Sequence, residues 1–438
     1  MEILIRVGQL LLSLSLLVIL HEFGHFFFAR LFKTRVEKFY LFFNPWFSIF
    51  KKKIGETTYG IGWLPLGGYV KIAGMIDESM DKDQMSKPPQ PYEFRSKPAW
   101  QRLLIMLGGV LANFITALVI YVLILFTWGE EYIPLSKMEH GIMPDSTAMM
   151  VGFQPGDRIL SVDNEPIERF NELTTTILLN DSKTVQVERN GEKVTVDIPE
   201  WLAKSVIKNN SMLFAPRFKF VIADFVDSST AQQAGLQKGD YVVGIDTIAT
   251  PYADILTSAL PNYAGQTIDV KVVRDNETIT MPVTIDQNGK MGIMADIMAS
   301  IPVAVAEYGF LESIPAGINK GFKTAGDYLK QLKLIFSPKT KAYESLGGFI
   351  AIGKIFPGTW DWQSFWRLTA FLSIMLAILN LLPIPALDGG HVLFTIFEMI
   401  TGQKPSDRFL EVAQITGMLL LFALIIYANG NDIVKLFR

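Results

Sequence analysis

Three observations predict a multi-pass membrane protein with an α-helical transmembrane core, a membrane-associated β-hairpin and two small α+β domains in tandem. Half of the 438 residues are hydrophobic, and the mean hydropathy is positive. The apolar residues are concentrated in four stretches, and a helix needs about 20 apolar residues to cross a bilayer. Between the second and third stretches lies a long block of ordinary soluble composition that contains a sequence repeat.

Composition narrows the possible functions. The formal net charge of −3 gives no reason to expect a nucleic-acid partner. The chain has no cysteine, which excludes disulfides and thiolate metal sites, so a metal ion would need His, Asp, Glu or backbone oxygen. Arg6 precedes the first apolar run, but no small-residue cleavage site follows that run. We therefore interpret the N-terminus as a retained transmembrane helix and not as a signal peptide.

The same pattern gives the domain boundaries. In chain order we expect a first transmembrane helix (1–33), a cytoplasmic loop with the β-hairpin (34–102), a second transmembrane helix (103–128), two α+β domains (129–216 and 217–300), an amphipathic helical linker (301–364), a third transmembrane helix with a broken end (365–388), a second cytoplasmic loop (389–409), a fourth transmembrane helix (410–428) and a C-terminal tail (429–438). The linker lies either along the outer membrane surface or as an ordinary helix packed on the α+β domains.

Charge predicts the orientation in the membrane. Lysine and arginine are frequent in the loop 33–102, and the loop 383–408 adds Lys404 and Arg408. By the positive-inside rule both loops face the cytoplasm. The N-terminus, the soluble block and the C-terminus then lie on the opposite side.

The soluble block contains two copies of one pattern. "DSTAMMVGFQPGDRILSVD" begins at Asp145, and "SSTAQQAGLQKGDYVVGID" begins at Ser228. Each copy continues into alternating segments separated by hairpin turn signals, Asn190-Gly191 in the first and Asp275-Asn276 in the second. Two copies predict a pair of similar modules and not a solenoid, which usually needs three or more repeats.

The first cytoplasmic loop contains "TTYGIGWLPLGGYVKIAGM", which begins at Thr57. Its alternation and its β-branched and aromatic residues predict a β-hairpin. Its apolarity indicates contact with the membrane or with a buried strand. A backbone at membrane depth needs protein or a water-lined cavity to satisfy its hydrogen bonds.

The first apolar stretch contains His21-Glu22-x-x-His25. Residues four apart share one face of a helix, so both imidazoles can bind one zinc ion at about 2.0–2.1 Å. Glu22 can then take a proton from the attacking water and deliver it to the leaving amine. A charged group at mid-bilayer costs about 2.5–3.5 kcal/mol on insertion scales, so this cluster indicates function.

A catalytic zinc site needs a third protein ligand. His140 lies in the soluble block, whereas "NLLPIPALDGGHVLF" at the end of the third stretch offers Asp388 and His391. Pro383 and Pro385 interrupt the helix there, which would let Asp388 turn towards the first helix. The alternative is a capping aspartate at an ordinary Pro/Gly helix terminus.

Two asparagines in the apolar stretches leave a similar choice open. Asn113 in the second stretch and Asn380 in the third either join helices through hydrogen bonds or orient the substrate and its oxyanion. The residues alone do not decide between these roles.

Taken in order, these motifs resemble the site-2 protease family of intramembrane zinc metalloproteases, in its bacterial regulator-of-sigma-E branch. The resemblance rests on HEFGH, "PLGGYVKI", Gly109-x-x-x-Asn113 and "NLLPIPALDGGH", and the duplicated units look like tandem PDZ domains. It implies His21, His25 and Asp388 as zinc ligands and Glu22 as general base and acid. It implies substrate contacts at Asn113 and Asn380 and in the region 65–72, and we place the substrate-binding residues at Asn113, Asn380, Gly67, Gly68, Tyr69, Val70, Pro383 and Pro385.

The resemblance also implies an activity and partners. We expect second-step hydrolysis of transmembrane segments, such as those of anti-sigma factors or signal-peptide remnants, after a site-1-type protease has trimmed the outer domain. The enzyme would lie in the inner membrane, with its PDZ-like domains outside the cytoplasm as a size filter and its zinc site towards the cytoplasm. The alternative is a catalytically silent PDZ-bearing adaptor. A transporter is disfavoured because four spans show no hydropathy symmetry.

Overall fold

The computed structural model describes residues 1–65, 67–75, 88–338 and 340–437. It divides into two compact units, of which the first comprises Met1–Gly129, Glu307–Lys333 and Tyr343–Arg438, and the second comprises Glu130–Ala306 and Leu334–Ala342. The helices are α1 (Glu2–Leu31), α2 (Ala99–Trp128), α3 (Ser146–Val151), α4 (Phe170–Leu179), α5 (Leu202–Asn209), α6 (Thr230–Gln233), α7 (Ala253–Ala259), α8 (Ile297–Ser300), α9 (Phe310–Ile335), α10 (Phe349–Ile355), α11 (Trp362–Leu381), α12 (Asp388–Thr401) and α13 (Asp407–Leu436).

The strands are β1 (Val36–Leu41), β2 (Phe43–Ile54), β3 (Thr57–Leu64), β4 (Tyr69–Ile72), β5 (Glu130–Tyr132), β6 (Ile142–Pro144), β7 (Arg158–Val162), β8 (Glu165–Pro166), β9 (Thr184–Arg189), β10 (Glu192–Asp197), β11 (Phe214–Pro216), β12 (Ile222–Phe225), β13 (Tyr241–Ile245), β14 (Ile248–Ala249), β15 (Thr267–Arg274), β16 (Glu277–Thr284), β17 (Ile293–Ala295) and β18 (Ala304–Ala306). Outside the first sheet the longest described strands are β15 and β16, with eight residues each.

Four helices within the described residues are long and apolar enough to cross a membrane, namely α1, α2, α11 and α13. This confirms the number of spans expected from the sequence. The helices α1 and α2 approach closely because Gly24 and Gly108 face each other, and a Cβ atom on either would collide with the backbone of the other helix. Small residues allow such close approach between helices in membranes.

The third span ends in the break that its prolines predict. The helix α11 ends at Leu381, Ala386 adopts a positive φ of 85°, and α12 begins at Asp388. The segment 389–409, expected to be a loop, is mostly the helix α12. Asp388 is therefore the first residue of the helix α12.

The prediction of a β-hairpin at 57–75 is wrong. The structure has a four-stranded sheet in the order β2-β3-β1-β4, in which β1 lies between β3 and β4. β1 pairs in parallel with β3 and antiparallel with β4. The true hairpin is β2–β3, which turns at Gly55 with a φ of 61°. The strands β1 and β2 come from the segment 36–54, which lies outside the alternating pattern at 57–75.

The first helix of the linker, α9, does not lie apart from the spanning helices. The helix α9 packs lengthwise against the spanning helix α2, where Gly317 contacts Val122 and Gly321 contacts Leu118. These two glycines lie one turn apart, so the backbones can approach each other without a side chain between them.

The second unit contains two modules with a similar order of elements, except that the first has an additional helix, α5, before its last strand. A first strand (β6 or β12) is followed by a short helix, a strand with a short partner, a longer helix and a β-hairpin, and a last strand (β11 or β17) pairs with the first. Their cores are separate hydrophobic clusters.

The repeated Gly-Asp pair has a structural role in both modules. Asp157 binds the guanidinium of Arg189 at 2.8 Å, and Asp240 binds that of Arg274 at 2.7 Å. Both carboxylates are 1% exposed. Each arginine also donates to the carbonyl of a glycine, Gly152 or Gly235, which ties the hairpin to the helical turn.

Candidate metal centre

The helix α1 places two imidazoles together on one face. His21 and His25 are one turn apart, and their Nε2 atoms lie 3.2 Å from each other. Glycines let α2 pack directly over this face. A Cβ atom on Gly109 would lie 2.5 Å from His21 Cε1 and from His25 Nε2, which means that only a glycine leaves room for both rings.

The break before α12 brings a carboxylate to the same point. Asp388 Oδ2 lies 3.2 Å from His21 Nε2 and 3.4 Å from His25 Nε2. A tetrahedral zinc ion with bonds of about 2.0–2.1 Å holds its ligand atoms about 3.3–3.4 Å apart. The three distances between the donor atoms therefore match three corners of a zinc site.

The donor atoms also have the chemistry that a cation requires. Asp388 Oδ2 is buried and faces the two imidazole Nε2 atoms, which suits an oxygen directed at a cation. His25 Nδ1 lies 2.8 Å from the carbonyl oxygen of Ile105. That carbonyl accepts the Nδ1 proton and leaves the Nε2 lone pair for a metal ion.

A buried ion pair links α2 to the helix that carries Asp388. Arg102 Nη2 donates to Glu398 Oε1 at 2.5 Å, and the two side chains are 9% and 17% exposed. Arg102 also donates to the carbonyl of Lys97. The pair joins the start of α2 to the last turns of α12, so it limits rotation of α12 and of its first residue.

The donor atoms line a cavity of about 880 Å³. Glu22 lines it beside His21, and Asn113 and Asn380 line it from α2 and α11. Four of the predicted substrate-binding residues in the region 65–72 also line it, namely Gly67, Gly68, Tyr69 and Val70. Gly68 lies so close to Glu22 that an added Cβ atom would be 3.2 Å from Glu22 Cγ.

Pro383 and Pro385 are placed differently from the other candidates. They lie between α11 and α12 and are not among the residues that line the cavity. The carbonyl group of Pro385 packs against Gly417 of α13, which approaches without a side chain. These prolines shape the turn that presents Asp388.

Sequence reasoning missed Gln414, which lines the cavity from α13 and is 8% exposed. The signal was present in the sequence, because a polar side chain inside a transmembrane segment indicates a functional role by default. His391, one turn after Asp388, also lines the cavity.

Comparison with known proteins identifies the family. The model of peptidase family M50 matches residues 9–424. The chain belongs to peptidase family M50. The regulator of sigma E protease of Haemophilus influenzae is 28% identical, and the alignment covers 100% of both chains. The protease RseP of Yersinia pestis is 26% identical, again over 100% of both chains.

Membership of family M50 confirms the activity class and the cofactor expected from the motifs. The protein is a zinc metalloendopeptidase of the site-2 protease type and an integral membrane protein. The adaptor alternative is therefore disfavoured, and so is the transporter.

Proposed function

We propose that His21, His25 and Asp388 hold the zinc ion of this M50 peptidase and that Glu22 is its general base and acid. One observation carries the proposal: three donor atoms, contributed by two helices, lie 3.2, 3.2 and 3.4 Å from one another. They line a cavity between apolar helices, so the peptide bond that reaches them belongs to a segment within the membrane.

The division of labour follows from the chemistry of each group. When bound, zinc polarises the scissile carbonyl and makes water acidic enough to attack at neutral pH. Glu22 takes a proton from the attacking water on its carboxylate and passes it to the leaving amine nitrogen. The carbonyl of Ile105 fixes the tautomer of His25 throughout.

We also propose that the substrate binds as an added strand. A transmembrane helix hides its peptide bonds in its own hydrogen bonds, so a substrate segment must unwind before cleavage. Strand β4 lies at the edge of the described sheet, and its residues Tyr69 and Val70 line the cavity. Backbone hydrogen bonds to such an edge would hold the segment extended beside Glu22.

The two modules of the second unit suit a role as PDZ-like filters. Their shared order of elements and their paired first and last strands support this assignment. We propose that they lie outside the cytoplasm, in accord with the basic loops, and exclude substrates with an intact outer domain. The substrates are then anti-sigma factors or signal-peptide remnants already cut by a site-1-type protease, and the enzyme acts in the inner membrane.

The test is a comparison of Glu22→Gln with wild type in a zinc assay and in cleavage of a transmembrane model substrate. Glu22→Gln should keep zinc and lose cleavage, because it removes the proton acceptor and no ligand. Glu2→Gln is the matched control, since it makes the same change on an exposed residue of the same helix. Cleavage by Glu22→Gln would refute the assigned base, and zinc-free wild-type protein would refute the metal site.

A further inference from the structure

The segment Gly109-x-x-x-Asn113 packs directly against the two imidazoles. Because Gly109 has no side chain, α2 can approach the two imidazole rings. Asn113 lies one turn later on α2 and is fully buried. Asn113 Nδ2 lies 3.3 Å from His21 Nδ1, and Ser373 Oγ donates to the backbone carbonyl of Asn113 at 2.7 Å. The side-chain amide thus lies beside the ring nitrogen of His21 that does not face Asp388, on a stretch of α2 that is hydrogen-bonded to α11.

The two ends of this amide select different tautomers of His21. A neutral imidazole has one N–H donor and one acceptor nitrogen. When Nδ2 of Asn113 donates to Nδ1, the proton of His21 lies on Nε2, and Nε2 cannot bind a cation. When the amide rotates by 180°, Oδ1 accepts a hydrogen bond from the N–H at Nδ1. The lone pair of Nε2 then faces Asp388 and His25.

A second observation points to the same exchange. Asn113 Oδ1 is buried and has no hydrogen-bond partner among the described residues. A buried acceptor without a donor costs about 1–3 kcal/mol. The half rotation places this oxygen opposite the Nδ1 proton, where it acquires a donor. His25 needs no such residue because the carbonyl of Ile105 is an acceptor only.

We propose that Asn113 is a positioning residue that sets the tautomer of His21 by rotation of its amide, and that it acts through His21 and not on the substrate. The proposal rests on His21 being a zinc ligand, as proposed above. It explains why an amide suits this position: an amide supports His21 both with and without a bound ion, whereas a carboxylate supports only the metal-binding tautomer and an apolar side chain supports neither.

The experiment measures zinc affinity in the detergent-solubilised full-length protein by competition with a chelator. Asn113→Leu has nearly the same volume and no hydrogen-bonding group. It should weaken zinc binding by about 10–100-fold, the usual effect of removing an outer partner of a metal-bound histidine. Asn113→Asp supplies an acceptor to Nδ1 and should keep affinity within a few-fold of wild type. Asn431→Leu makes the same change on a hydrogen-bonded asparagine of α13 that does not line the cavity, and serves as the control for zinc affinity.

Cobalt substitution gives a second readout. The visible absorption bands of Co²⁺ report the ligand geometry, and we expect them to change in Asn113→Leu and to return in Asn113→Asp. Zinc affinity of Asn113→Leu equal to wild type, with cleavage lost, would overturn the proposal in favour of a substrate contact. Equal losses in both Asn113 variants would show that an acceptor for Nδ1 is not what this position supplies, and would also overturn the proposal. Wild-type protein that binds no zinc would instead refute the metal site itself.

Discussion

Asp388 Oδ2 lies 3.2 Å from His21 Nε2, although the two residues belong to the first helix and to the helix before the last. The contact forms because α11 ends at Leu381 and the chain turns before α12 begins. The carboxylate thus comes from the first residue of a helix, whose N-terminal dipole favours a negative charge. The turn and the dipole together hold an anionic ligand at a depth where a charge is costly.

Replacement of Asp388 by asparagine tests this ligand. Asp388→Asn keeps the shape and removes the charge, so zinc affinity should fall by more than the roughly 10–100-fold caused by loss of an outer partner. The measurement is zinc retained per protein after gel filtration with a chelator, together with cleavage of a transmembrane substrate. Asp361→Asn is the control, because Asp361 caps α11 through the Ser364 amide and asparagine caps helices equally well. Unchanged zinc retention in Asp388→Asn would remove this residue from the site.

The parts of this fold that follow from local patterns could be predicted from the sequence. The four apolar stretches gave the spanning helices, and the spacing of His21 and His25 on one helical face was sufficient to predict that they meet. Pro383 and Pro385 predicted the break before Asp388. Each of these inferences depends on the period of a helix or on the inability of proline to continue one.

The parts that depend on distant partners could not be predicted in this way. The sheet places β1 between β3 and β4, and no local pattern specifies which strands become neighbours. Gln414 reaches the cavity only because Gly417 lets α13 approach the carbonyl of Pro385. The contact of α9 with α2 likewise forms because Gly317 and Gly321 pack against Val122 and Leu118, which are distant in the sequence.

Gly109, which packs against His21 and His25, should not tolerate replacement by any larger residue. In Gly109→Ala the added carbon would lie 2.5 Å from His21 Cε1 and His25 Nε2, so the rings must move apart. We expect zinc retention and cleavage to fall, while the amount of protein in the membrane stays near the wild-type level. Gly8→Ala is the matched control on α1, because a Cβ atom there has no atom within 4 Å. Normal zinc binding by Gly109→Ala would show that α2 can move away without cost.

The side chain of Arg217 should anchor the segment that joins the two modules of the second unit. Its backbone amide donates to Gly141 of the first module, and its guanidinium binds both oxygens of Asp254 and lies 4.0 Å from the ring centre of Tyr252 in the second. Hydrogen bonds to a charged group contribute about 1.5–3 kcal/mol. Arg217→Ala should lower the melting temperature of this unit by about 2–4 °C for each kcal/mol lost.

The matched control for Arg217→Ala is Lys183→Ala. Lys183 pairs with Asp181 on the surface, where the two side chains are 62% and 85% exposed, and exposed pairs contribute about 0–1 kcal/mol. Thermal unfolding of the full chain and proteolysis at residues 217–221 would compare the two variants. Equal effects would show that the side chain of Arg217 does not anchor this segment.

The buried Asp240–Arg274 pair should make the second module sensitive to acid. Burial raises the pKa of Asp240, but the hydrogen bonds from Arg274 and from the backbone of Gln237 outweigh it and hold the pKa below its ordinary value. A carboxylate with a lowered pKa in the folded state stabilises that state fully above its unfolded pKa of about 3.9. This contribution is lost as the pH falls through the lower, folded pKa.

The pair can be tested by the free energy of unfolding as a function of pH. Asp240→Asn should be less stable than wild type at neutral pH, and the difference should begin to shrink below about pH 3.9 and vanish once the pH is below the lower, folded pKa. Hydrogen exchange of the β15–β16 amides in the full-length protein would measure it, because Arg274 ends β15. Asp181→Asn removes a carboxylate that is 85% exposed and is the matched control. A stability difference that stays constant down to the lowest pH would show that Asp240 contributes by shape and not by charge.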